Sequence, residues 1–132
     1  MGHRLSKHLG LCQNFHGHNV EFEISLSAPS LNDNDMIMDF SELKEIGENI
    51  FEMMDHATLF NPTDENLKFF QEHGFKTLTF PTKANEDPTA EVTCKWVYRI
   101  FRAGLDERGL EDVTIDFVRM WENKNSMAEY SE

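Results

Sequence analysis

The chain has 132 residues, of which 39% are hydrophobic, and a formal net charge of −12. That length supports one domain spanning 1–132 with a real core, and that charge argues against nucleic acid or an anionic membrane as the main partner, because both need a basic face. No apolar run is long enough to span a bilayer and no secretory pattern opens the chain, so the expected compartment is the cytoplasm, where the two cysteines stay reduced.

The first segment, GHRLSKHLGLCQNFHGHN, crowds His3, His8, Cys12, His16 and His18 together. From Asn19 to Ser27 the alternation is strict. Val20, Phe22, Ile24 and Leu26 fall on one face and Glu21, Glu23, Ser25 and Ser27 on the other, which predicts a half-buried strand. Turn residues fill 29–35. Phe40, Leu43, Ile46, Ile50 and Met53 then recur at helical spacing, with Asp39 as the cap.

Residues 64–73 predict a short helix closed by Gly74, and 76–80 a short strand. Asp87-Pro88 reads as the cap and first residue of a second long helix, whose buried stripe is Ala90, Cys94, Val97, Phe101 and Leu105. Residues 113–121 are apolar on both faces, as in a central strand. A turn over 123–125 and a return strand over 127–130 follow. The sum is an α+β fold, an antiparallel sheet with two main helices on one face. So few strands predict that neighbouring chains complete the sheet.

Residues two apart on a strand point the same way, so His16 and His18 share the inward face of Val20 and Phe22. Two inward imidazoles can grip one Zn²⁺, with His3 or His8 as a third ligand. The bland alternative is a polar turn whose imidazoles bond to backbone. A cupin-type site would recruit Glu23, but Glu23 lies on the opposite face and long helices do not suit a jelly roll. Cys12 is either a further ligand or a thiol beside an open site. Cys94 reads as a small core residue. Asp55-His56 is a possible proton shuttle and Glu122 a carboxylate able to take two parallel N–H bonds.

Six pieces in order, GHRL, CQNFHGHN, MIMDFSELK, DHATLFN, DPTAE and WENKNSMAEY, resemble the 6-pyruvoyl-tetrahydropterin and 6-carboxytetrahydropterin synthase family along nearly the whole chain. The resemblance implies a tunnelling fold, in which sheets of several subunits join into a barrel, commonly a homohexamer built from two trimers with active sites at subunit interfaces. It implies catalytic zinc on His3, His16 and His18 and proton abstraction by Cys12. It further implies a relay through Asp55 and His56, a pterin anchor in Glu122, and a pocket wall including Thr89 and Glu91.

The implied substrate is dihydroneopterin triphosphate, whose pyrimidine edge offers two neighbouring N–H donors to a carboxylate. Arg4, Lys7 and Lys124 are candidates to offset the acidic background around the triphosphate. The short spacing from Cys12 to His16 and the Asp-Phe of MIMDF resemble the bacterial carboxy-forming branch, a lyase of queuosine biosynthesis that releases acetaldehyde and triphosphate. The alternatives are pyruvoyl formation by triphosphate elimination, or a non-catalytic zinc- or pterin-binding protein. Two departures stand out. Only Met1-Gly2 precede His3, which shortens the family's first strand and predicts a ligand prone to fraying, and Asn123 stands where the family often has Thr.

Overall fold

The structure is a computed structural model that describes residues 1–81 and 85–132. The strongest alternation in the sequence becomes β3, Glu21–Ser27, and the long apolar run becomes β6, Thr114–Asn123. These pair antiparallel, and β7, Ser126–Tyr130, returns along the other side of β6, giving a three-stranded sheet in the order β3-β6-β7. The tight link between β6 and β7 is stapled by Asn123 Oδ1, which accepts from the Asn125 amide at 2.9 Å.

The reading of β6 as apolar on both faces has a local cause. The register with β3 slips between Ser25 and Leu26, so Asp116 is an extra residue on β6. Its carboxylate takes the hydroxyls of Ser25 and Ser27 at 2.8 and 2.6 Å. Across the bulge the alternation changes phase, and Ile115, Val118 and Met120 are all buried. The opposite face carries a charged row instead. Glu23, Arg119 and Glu129 stand side by side across the three strands, with Arg119 3.3 Å from Glu23 and 2.7 Å from Glu129.

Helix α1, Phe40–Met54, starts at a capping box in which Asp39 and Glu42 satisfy each other's backbone amides. Its buried stripe is Ile46, Ile50 and Met54, one residue beyond the expected Met53, and Phe40 at its start is exposed. Helix α3, Ala90–Asp106, buries Cys94, Val97, Phe101 and Leu105 against β6 and β7. Both helices cover the same face of the sheet, α1 lying over Phe22 and Ile24. The expected α+β layering is therefore present.

Thr89, rather than Asp87, caps α3: its side-chain oxygen accepts from the Val92 amide at 3.3 Å. A threonine in extended conformation one residue past Pro88 can reach that amide, and Asp87 is engaged elsewhere. The short strand and helix expected over 64–80 appear as β5, Thr77–Thr79, and α2, Leu67–Glu72. A second sheet departs from the expected single antiparallel one. It is four-stranded and mixed, in the order β2-β1-β4-β5, built from β1 Gly2–His3, β2 His16–Gly17, β4 Thr58–Phe60 and β5. β1 pairs antiparallel with β2 and parallel with β4, so His3 is held from both sides and is only 2% exposed. That pairing opposes the fraying expected of so short a strand. Among the described residues no helix is long and apolar enough to cross a membrane.

Candidate metal centre

Strand pairing assembles the histidines. In the β1–β2 register His3 lies directly opposite His16, and cross-strand partners project to the same side. His18 follows two residues later with the same parity. Their ligating nitrogens all lie within 4.8 Å of one another. His8, the alternative third ligand, is exposed and accepts from the Gly10 amide at 2.9 Å, outside this group.

The second nitrogen of two rings is tied to backbone. His3 Nδ1 is 2.9 Å from the carbonyl of Pro88, and His16 Nδ1 is 2.8 Å from that of Asn14. A carbonyl only accepts, so both rings carry a proton on Nδ1, and each ring in its neutral form presents a lone pair at Nε2. The two Nε2 atoms stand 3.0 Å apart. Facing lone pairs at that separation repel, and a cation drawing on both removes the conflict. Burial lowers the His3 pKa below the usual imidazole value, helped by the neighbouring His16 and His18, against the opposing pull of the Pro88 carbonyl. A ring kept neutral is a ring able to ligate. Three imidazoles, two of them oriented by carbonyl partners, fit a divalent transition-metal ion.

The histidines open on a cavity of about 570 Å³ whose wall includes Cys12, Thr89, Glu91 and Glu122. Glu122, on β6, comes within 3.9 Å of His18 Nε2 through Oε1. Cys12 sits in a 3-10 turn over Leu11–Gln13, lining the cavity but outside the ligating group, which favours the thiol-beside-the-site alternative. Glu23 is across the sheet with Arg119, so the cupin-type arrangement does not form. Asp55 and His56 do not line the cavity of their own chain. They form an exposed pair at the end of α1, His56 Nδ1 to Asp55 Oδ2 2.9 Å, with His56 in the left-handed region at φ 56°. Lys76 Nζ holds that corner through the carbonyls of Glu52 and Asp55.

Two of the cations weighed against the triphosphate are committed to other partners. Arg4 Nε pairs with the buried Asp64 at 3.0 Å, and Lys7 Nζ donates to the Asn85 carbonyl. Cys94 is fully buried, 3.5 Å from the Ala128 carbonyl, and burial pushes its thiol up to about 12. It therefore stays protonated at any working pH. Alkylation of the native chain at pH 8 is expected to spare Cys94 until the protein unfolds, read by mass spectrometry of the labelled peptides; fast native labelling of Cys94 would contradict the packing described.

Sequence reasoning missed the carbonyls of Asn14 and Pro88, because a backbone acceptor leaves no trace in residue type. It also missed Asn125, which read only as a turn residue, and Ser126, the first residue of β7, both on the cavity wall.

The family model for 6-pyruvoyl tetrahydropterin synthase matches residues 1–132. The chain is 32% identical over 130 residues to 6-carboxy-5,6,7,8-tetrahydropterin synthase of Aquifex aeolicus, covering 96% of this chain and 79% of that one. It is 31% identical over 140 residues to the Haemophilus influenzae protein of the same name, covering 100% and 92%. In three dimensions it resembles Plasmodium falciparum 6-pyruvoyl tetrahydropterin synthase, with a TM-score of 0.74 at 19% identity over 98% of this chain and 87% of that one. The α+β architecture is accordingly the tunnelling fold.

Proposed function

Since this chain belongs to the 6-pyruvoyl tetrahydropterin synthase family, we propose that it is a zinc-dependent 6-carboxy-5,6,7,8-tetrahydropterin synthase of the cytoplasm. It would convert dihydroneopterin triphosphate and water into 6-carboxytetrahydropterin, acetaldehyde and triphosphate, as a carbon–carbon lyase. The observation that carries this reading is the group of three histidine nitrogens at the mouth of a cavity shared with a thiol and a carboxylate. The names of the Aquifex and Haemophilus relatives favour the carboxy-forming branch.

His3, His16 and His18 would hold the Zn²⁺, which supplies Lewis acidity toward the substrate's side-chain hydroxyls and so makes an adjacent C–H more acidic. Glu122 is the pterin anchor, accepting two N–H bonds from the pyrimidine edge, with Thr89 and Glu91 closing the pocket beside it. Cys12, as thiolate, takes the carbon-bound proton. Asp55 and His56 do not line this cavity, so their relay role requires a neighbouring chain to present them. A homohexamer with interface sites is the assembly we propose, and the outer edges of β3 and β7, unpaired among the described residues, support it.

The test is metal analysis of the purified protein together with product identification after incubation with dihydroneopterin triphosphate. Zinc, acetaldehyde and a carboxypterin are expected. A pyruvoyl product without acetaldehyde would move the chain to the other enzymatic branch, and zinc without turnover would make it a binding protein.

Glu122→Gln keeps the shape but replaces one accepting oxygen by a donor. Pterin binding is expected to weaken by about 1.5–3 kcal/mol, the worth of a hydrogen bond to a charged group, with zinc content unchanged. Titration of pterin fluorescence reads the affinity, and an unaltered dissociation constant would remove Glu122 from the anchor role.

A further inference from the structure

Asp87 is buried and takes no part in the proposed chemistry, yet its carboxylate holds residues 6–7, just beyond the strand that carries His3. Oδ1 accepts from Ser6 Oγ at 2.6 Å and from Asn61 Nδ2 at 3.0 Å, and Oδ2 accepts from the Lys7 amide at 2.8 Å. Asn61, fully buried, also donates to Asn85 Oδ1, and the same Nδ2 lies 3.2 Å from Ser6 Oγ. Its own carbonyl oxygen accepts from the amide and hydroxyl of Thr63. This knot binds three segments: residues 6–7 after β1, 61–63 after β4, and 85–87 before α3.

The residue after Asp87 is Pro88, and its carbonyl is the acceptor for His3 Nδ1. The Asp87-Pro88 dipeptide thus grips the β1 segment twice, by a carboxylate at residues 6–7 and by a carbonyl at His3. The proline ring fixes its own φ, so little torsional slack separates the two grips.

We propose that Asp87 is a positioning residue for the metal centre. It holds the Pro88 carbonyl against His3 Nδ1 and so sets the tautomer whose Nε2 lone pair faces His16 and His18. Its effect on metal affinity, unlike its effect on the tautomer, rests on the reading of the three histidines as ligands. Partners of this kind, one bond beyond a ligand, are typically worth about 10–100-fold in metal affinity.

The experiment compares the full wild-type chain with Asp87→Ala and Asp87→Asn. Long-range ¹H–¹⁵N NMR of the metal-free protein reads the His3 tautomer, and competition with a chelator reads Zn²⁺ affinity. Wild type is expected to show His3 protonated at Nδ1. Asp87→Ala should show a tautomer mixture and roughly 10–100-fold weaker zinc binding, with Asp87→Asn between them. If Asp87→Ala fails to fold, Ser6→Ala removes a single bond to the carboxylate and should shift both readouts in the same direction by less. A lowered melting temperature with tautomer and affinity unchanged would mean a merely structural role and overturn the proposal, as would weakened zinc binding with an unchanged tautomer. A wild-type chain that binds no zinc but whose His3 tautomer still depends on Asp87 would uphold the positioning role and overturn the metal reading alone.

Discussion

His16→Ala is expected to strip the chain of zinc and to lower turnover by at least about 100-fold, more than the loss of an outer partner of a ligand costs. His16 Nε2 is the atom 3.0 Å from His3 Nε2, so its removal leaves two nitrogens where the site offers three. The ring is half-exposed and its Nδ1 bonds only to a nearby turn carbonyl, so the fold itself should survive. His8→Ala is the control, since His8 is exposed and bonded to Gly10 within its own loop. Metal analysis by mass spectrometry should find His8→Ala fully loaded and His16→Ala empty. Equal zinc in both would mean that the metal sits elsewhere.

Cys12→Ala is expected to keep its zinc and its pterin affinity while turnover falls by about 10²–10⁴-fold, the usual contribution of a positioned base. The thiol lines the same cavity as the three imidazoles and lies outside the group that could share an ion. Loss of zinc along with activity would make the sulfur a ligand instead, and turnover near the wild-type rate would assign proton abstraction to another group. Measuring metal, binding and turnover on the same preparation separates these results.

Much of this was legible from period alone. β3 and α3 announced themselves because alternation over Val20–Leu26 and helical spacing over Ala90–Leu105 each run long enough to be unmistakable. The mixed sheet was not, since its strands are two or three residues long, too short for any period, and its parallel pairings join segments far apart in the chain. The site divides the same way. Parity placed His16 and His18 on one side but does not choose between His3 and His8, a choice that only the resemblance of GHRL to the family motif made. That choice depends on the β1–β2 register and on a carbonyl near residue 88. The misplaced cap has a related cause. Asp87 looks like any aspartate before a proline, and only the loops that pack over it reveal that its oxygens are already taken.

The row of Glu23, Arg119 and Glu129 has a bearing on how chains meet. Its one cation is central and its two carboxylates stand on the outer strands, so a second sheet approaching either rim encounters negative charge first. Like charges brought opposite each other oppose pairing. Such repulsion between solvent-facing groups fades once dissolved ions shorten its range to about 8–10 Å. Ionic strength would then tune the rate at which rims meet, with encounter faster at physiological salt than in dilute buffer, while groups brought within the screening length still repel.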